Sequence, residues 1–184
     1  MKLDYFKLER YFGQYEFSAP HLFCSSDCES FEVQELFTTK EFEELKRLRL
    51  GYTESQGDHE LRKEVSKLFK KVRTDDILIC VPEEGIFVLM NALLEKGDSV
   101  IVQTPCYQSL FEVAKGIGCK VIKWEPIRED DKWIWYLDFL KQQIKKKARL
   151  VVVNCPHNPT GQLFSHEEYA EIMRLAKKHN AYVF

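Results

Sequence analysis

From Ile77 to Phe184 the sequence alternates short apolar runs with longer stretches whose apolar residues recur every three or four positions. No other feature restricts the fold as much. The short runs are Ile77–Val81, Ser99–Gln103, Lys120–Trp124, Arg149–Asn154 and Ala181–Phe184. A run of this kind suits a strand covered on both faces. Between the runs, Ile86, Met90, Leu93 and Leu94 fall on one helical face, as do Leu110, Val113 and Ala114. Leu137, Leu140 and Ile144 form the next face, and Tyr169, Ile172, Met173 and Ala176 the last, all four read as facing inward. Strand and helix in alternation predict an α/β fold: a three-layer α/β/α arrangement with a mostly parallel sheet and right-handed crossovers. The strands at Ile77, Ser99, Arg149 and Ala181 should be central to the core.

Local punctuation supports this reading. Lys96-Gly97-Asp98 stops one helix, and Lys145-Lys146-Lys147 sits where a helix C-terminus favours positive charge. Ser165 with Glu168, and Thr38 with Glu41, have the spacing of capping boxes. The second of these opens a helix through Phe42, Leu45 and Leu48 that Gly51 ends. After Gln56-Gly57-Asp58, the stripe Leu61, Val65, Leu68, Phe69 and Val72 predicts a further helix. The first forty residues are aromatic and irregular. Residues 1–40 therefore read as an N-terminal arm or small-domain segment, and 41–184 as the N-terminal part of a large domain. A buried strand at the very end of the sequence predicts that the chain stops mid-domain.

Charge and cysteine usage exclude several classes. Lys+Arg number 27 and Asp+Glu 29, so no basic excess favours nucleic acid. No apolar run approaches membrane-spanning length. The N-terminus carries charges every few residues, unlike a signal peptide. The expectation is a cytoplasmic protein without nucleic-acid or membrane partners. Of the six cysteines, Cys80 and Cys155 sit in or beside apolar runs and read as small buried hydrophobes. Cys24 and Cys28 with His21 lack the second pair that zinc-site spacing requires, so no metal is expected.

In an open parallel sheet, ligands bind beyond the carboxyl ends of the strands. The residues there are Pro82-Glu83-Glu84-Gly85, Thr104-Pro105-Cys106-Tyr107-Gln108 and Cys155-Pro156-His157-Asn158-Pro159-Thr160-Gly161. Asn158 offers an amide donor whose direction Pro159 fixes. Tyr107 offers a flat ring able to cover a planar ligand, and helix N-termini there offer N–H groups to an anion. The exit at Glu125-Pro126-Ile127 offers little polar chemistry.

The ordered set Tyr52-x3-Gln56-Gly57-x3-Leu61-Arg62, Pro82-Glu83-Glu84-Gly85-Ile86, Gly97-Asp98-Ser99-Val100-Ile101-Val102, Pro105-Cys106-Tyr107 and His157-Asn158-Pro159-Thr160-Gly161 resembles the class I/II aminotransferase family from about Leu50 to Phe184. These are fold-type I pyridoxal-phosphate enzymes. The resemblance implies that the cofactor is pyridoxal 5'-phosphate, with Asn158 on the phenolic oxygen of its ring and Tyr107 stacked on the ring. Backbone amides at Glu83 and Glu84 would face the phosphate. Tyr52 would reach the phosphate in a neighbouring subunit, which implies a homodimer. Arg62 would support structure from a partly solvated helix face. The substrates implied are an amino acid and a 2-oxo acid. The resemblance also implies cis bonds before Pro105 and Pro159, and a first strand separated from the others by strands later in the family's chains. Ile77–Val81 would then lack its neighbours.

Two departures stand out. Pro82 takes the place of a small residue whose amide helps bind phosphate, and proline has no N–H. Glu83 brings a carboxylate toward an anion, which is tolerable only if its side chain points away. In addition, the family's pyridinium aspartate, Schiff-base lysine and substrate-carboxylate arginine lie beyond Phe184. None of the lysines present stands at the family's position. The expected function is amino-group transfer by a fragment that is inactive alone. The alternatives are a non-catalytic remnant or dimerisation module, or a C–S lyase of the same fold. A nucleotide-binding Rossmann domain is disfavoured, because no G-x-G-x-x-G follows the first apolar run.

Overall fold

A computed structural model describes all residues from Met1 to Phe184. In chain order the elements are α1 (Lys7–Tyr15), α2 (Val33–Leu36), α3 (Thr39–Leu45), α4 (His59–Ser66), a 3-10 turn (Thr74–Asp76), α5 (Pro82–Leu93), β1 (Ser99–Gln103), α6 (Ser109–Ile117), β2 (Lys120–Trp124), β3 (Ile127–Glu129), β4 (Lys132–Ile134), α7 (Leu137–Ile144), β5 (Ala148–Val152), α8 (His166–Lys178) and β6 (Tyr182–Val183). They fall into two compact units, residues 1–26 with 83–184, and residues 27–82.

The first unit is built on a parallel four-stranded sheet in the order β2-β1-β5-β6. Alternate residues of a strand point to opposite faces, and both faces of this sheet are buried. Ile101 and Val151 pack with Trp124, Leu140, Ile144, Ile172 and Leu175 on one side, under α7 and α8. Val100, Val102, Leu150 and Val152 pack with Met90, Leu94, Val113 and Ala114 on the other, under α5 and α6. This is the three-layer α/β/α arrangement read from the sequence. Each fully buried Val, Leu, Ile or Met side chain among them contributes roughly 1.5–3 kcal/mol. The Ser165–Glu168 capping box opens α8 as expected: Glu168 N donates to Ser165 Oγ at 3.1 Å, and Ser165 N to Glu168 Oε2 at 2.8 Å.

Three expectations are corrected here, and one element comes without an expectation. Ile77–Val81 is not a strand: it belongs to no sheet, and Leu78 (52% exposed) and Val81 (65%) lie open to solvent. Strand character requires a partner, and an apolar run alone cannot provide one. The segment does not pair with the Arg149 strand. Cys80, within that segment, and Cys155, in the turn after β5, are exposed rather than buried. On α8 the inward face is Ile172, Leu175 and Ala176, while Tyr169 and Met173 lie exposed along its flank. Finally, the charged stretch 128–132 hides an antiparallel hairpin, β3–β4, pairing Ile127 with Ile134 and Arg128 with Trp133. Its turn places Asp130 at φ 52°, a left-handed conformation that aspartate tolerates better than most residues.

In the second unit the predicted helix starts are present. Glu41 N donates to Thr38 Oγ1 at 3.3 Å at the start of α3, and Leu61 N to Asp58 Oδ1 at 2.9 Å at the start of α4. The helix α4 ends at Ser66, and Leu61, Leu68, Phe69 and Val72 are exposed, so the apolar stripe covers no core. The buried residue is Arg62, at 5% exposure, which corrects its placement on a solvated face. Its fork spans the unit: Nε donates to Gly57 O at 3.0 Å and Nη1 to Thr74 O at 3.1 Å. Gly57, at φ 97°, is held under Ile79, where a Cβ would come within 2.6 Å of Ile79 Cβ. Ile79 N in turn donates to Gln56 O at 2.9 Å.

Candidate active site

The exits of the adjacent strands β1 and β5 are laced together by buried polar side chains. Gln103, the last residue of β1, is 2% exposed, and its Oε1 accepts from Asn154 N at 2.9 Å. Asn154 Oδ1 accepts from Asn158 N, which turns the loop back on itself. His157 is also 2% exposed. One ring nitrogen, Nε2, lies 2.8 Å from Pro105 O, and the other, Nδ1, lies 2.8 Å from Thr160 Oγ1. A carbonyl oxygen can only accept, so Nε2 carries the proton. Burial holds the His157 pKa below the ordinary histidine range, although the bond to Pro105 works against this. Beneath the ring lies Trp135, centroid to centroid 4.4 Å, whose Nε1 donates to Trp124 O at 3.0 Å and Thr104 O at 3.2 Å. The bonds before Pro105 and Pro159 are cis, as expected, and so is the bond before Pro156.

This lacing brings the Tyr107 loop and the Asn158 loop to neighbouring strand ends. The Asn158 side chain is exposed, with one long hydrogen bond from Nδ2 to Ser26 Oγ, 3.4 Å. Tyr107 is half-buried, and its hydroxyl donates to Glu9 of α1. The N-terminal segment docks here. Lys7 N donates to Gln108 Oε1 and Gln108 Nε2 to Tyr5 O, both at 3.0 Å, and Lys115 pairs with Asp4 at 2.6 Å. Gly116 permits the approach, since a Cβ there would meet Leu3 Cδ2 at 2.5 Å. Burial first, and then the carboxylates of Glu9 and Glu83, push the Tyr107 phenol well above the usual tyrosine range. Burial likewise pushes the Cys106 thiol up to about 11, so it is no nucleophile near neutral pH.

Glu83 and Glu84 occupy the first turn of α5. Glu84 is exposed. Glu83 is half-buried, and its Oε1 is buried without a hydrogen-bond partner. Its carboxylate lies beside Tyr107 and helps raise the pKa of that phenol. Tyr52, in the second unit, is fully exposed. The sequence reading quoted His157 and Asn154 without giving either a role, and it missed Gln103 and Glu9. A polar residue closing an apolar strand was the available signal for Gln103. Glu9 had none, because its partner is 98 positions away.

The residues at these exits offer groups that suit a pyridoxal ring, and the first turn of α5 offers the backbone N–H groups of Glu83 and Glu84, but none at Pro82, to a phosphate. The exposed Asn158 amide can donate to a phenolate oxygen, and the Tyr107 ring is fixed nearby.

An open parallel sheet between helical layers, with Tyr107 and Asn158 at paired strand exits, defines an α/β protein of the three-layer class with a candidate ligand site at those exits. Residues 22–184 match the family model for aminotransferase class I and II, and the chain belongs to that family. Aspartate aminotransferase of Pyrococcus horikoshii is 32% identical over 138 residues, which are 72% of this chain and 35% of that protein. A PLP-dependent aminotransferase from Streptococcus suis superposes with a TM-score of 0.89 at 29% identity, over 100% of this chain and 50% of that one. For Thermus thermophilus aspartate aminotransferase the TM-score is 0.70 at 27% identity, over 77% of this chain and 38% of that one. The chain thus spans about a third of the length of the curated relatives it matches.

Proposed function

We propose that this chain is the ring-holding part of a pyridoxal-phosphate-dependent aminotransferase, acting on an amino acid and a 2-oxo acid, and that alone it does not turn over. The observation that carries the reading is the convergence of Tyr107 and Asn158 at laced, neighbouring strand exits in a chain of this family. In this reading Asn158 Nδ2 donates to the phenolic oxygen of the ring and Tyr107 covers one ring face. His157 and Gln103 hold the two loops at a fixed separation. The cofactor supplies the electron sink, which Tyr107 and Asn158 orient but do not replace. No lysine in residues 1–184 is assigned the Schiff-base role, which the family places further along the chain. Residues 4–9, docked on Tyr107, Gln108 and Lys115, support reading the N-terminal segment as an arm. The fully exposed Tyr52 supports a dimer in which it reaches the partner's site.

The test adds pyridoxal phosphate and a pool of amino and 2-oxo acids to the purified chain and measures 2-oxo acid formation. The expected result is no turnover by residues 1–184, with activity once the family's downstream portion is joined in frame. Turnover by the chain alone would mean that one of its own lysines has taken the role. Persistent inactivity of the joined protein would favour the non-catalytic reading.

A further inference from the structure

The contacts of the N-terminal segment lead to one residue of the site. Asp4 pairs with Lys115 at 2.6 Å, Leu3 sits over Gly116, and Gln108 engages both Lys7 N and Tyr5 O at 3.0 Å. All three anchors belong to α6 or to Gln108 at its N-cap, so they fix the path of the chain into α1. Glu9, in the first turn of α1, is thereby carried to the Tyr107 hydroxyl, which donates to it. Glu83, in the first turn of α5, is a second carboxylate within hydrogen-bond reach of the same hydroxyl. A phenol has one proton to donate, so it serves one carboxylate at a time. The hydroxyl lies in the plane of its ring, and the acceptor it is tied to therefore restricts how that ring is turned.

We propose that Glu9 is a positioning residue for Tyr107: brought in by the docked N-terminal segment, it takes the hydroxyl in place of Glu83 and so fixes the ring that covers the ligand. This rests on the ring-holding reading above. Glu83 is the acceptor that takes over when the segment leaves, and the ring is then held from another side.

The experiment measures equilibrium binding of pyridoxine 5'-phosphate, which has the phenolic ring but no aldehyde to react with surface lysines. The proteins are the full chain, Glu9→Ala, Glu9→Gln, Tyr107→Phe and the double variant Glu9→Ala/Tyr107→Phe, with circular dichroism to verify folding. Glu9→Ala should bind about tenfold more weakly than wild type, the scale of a lost hydrogen bond to a charged group. Glu9→Gln keeps an acceptor and should recover to within about threefold. Where Tyr107 has already lost its hydroxyl, Glu9→Ala should change binding by less than about twofold. A second readout needs no ligand. With 13C at tyrosine Cζ, the signal missing from Tyr107→Phe identifies Tyr107. In wild type it should ionise at higher pH than the exposed tyrosines. In Glu9→Ala it should ionise at a lower pH than in wild type, and at a lower pH still in Glu9→Ala/Glu83→Gln, because both carboxylates and burial oppose the phenolate. An unmoved Tyr107 signal in Glu9→Ala would overturn the proposal. So would Glu9→Ala weakening binding equally with and without the hydroxyl, which would mark Glu9 as merely structural. If pyridoxine 5'-phosphate binds none of the proteins, the ring-holding reading fails and the positioning role falls with it. Binding that is indifferent to position 9 refutes this inference alone.

Discussion

Replacing His157 by phenylalanine tests whether the lacing of the strand exits is energetic or incidental. The ring volume and its contact with Trp135 are kept, so little cavity is created. What is lost is the N–H donated to Pro105 O and the contact with Thr160 Oγ1, both at 2.8 Å. A typical intramolecular hydrogen bond contributes about 0.5–1.5 kcal/mol net, and an acceptor left without a donor costs about 1–3 kcal/mol. Half-burial of these partners allows water to offset part of this, so the expected loss is about 2 kcal/mol. Urea unfolding followed by tryptophan fluorescence and circular dichroism measures it, with Trp135 as the adjacent reporter. The pH dependence gives an independent check. Burial lowers the His157 pKa in the folded state, so at mildly acidic pH the unfolded chain binds the proton more readily. The contribution of neutral His157 is complete above the unfolded value of about 6.5. It is lost as pH falls from there through the lowered folded value. The wild-type minus variant difference should therefore shrink across that window. A loss under about 0.5 kcal/mol, the level of an ordinary surface change, would refute the reasoning. So would a difference that stays constant as the pH is lowered.

Two further changes probe the rest of the fold. Arg62→Lys replaces a fork that meets Gly57 O and Thr74 O by a single ammonium that cannot reach both; amide hydrogen exchange in α4 should report a local loss of about 1–3 kcal/mol, and unchanged exchange would show that the fork is dispensable. Ser165→Ala removes the cap on α8 and should lower stability by about 1 kcal/mol in urea, with no change in the slope of the transition; a neutral result would mean that Glu168 alone holds the helix start.

The three-layer class of this fold was legible in the sequence because it depends on periodicity. Ser99–Gln103 and Lys120–Trp124 were read with the bounds the structure gives them, and the capping residues Thr38, Asp58 and Ser165 mark their helices by local chemistry. Asn158 and Tyr107 were legible as candidates because strand exits in a parallel sheet are where ligands bind. Which apolar run becomes a strand was decided elsewhere. Ile77–Val81 has the composition of a central strand, yet it remains unpaired because strand hydrogen bonds need a neighbour that no local signal specifies. Arg62 reads as a surface charge until tertiary structure brings the carbonyls of Gly57 and Thr74 around it. The same applies at the site. That His157 should join the two loops and that Glu9 should take the Tyr107 hydroxyl are facts about groups far apart in the chain. Sequence fixes periodicity and caps through interactions spanning three or four residues, whereas the partners of buried polar groups are chosen only when packing has closed the distances.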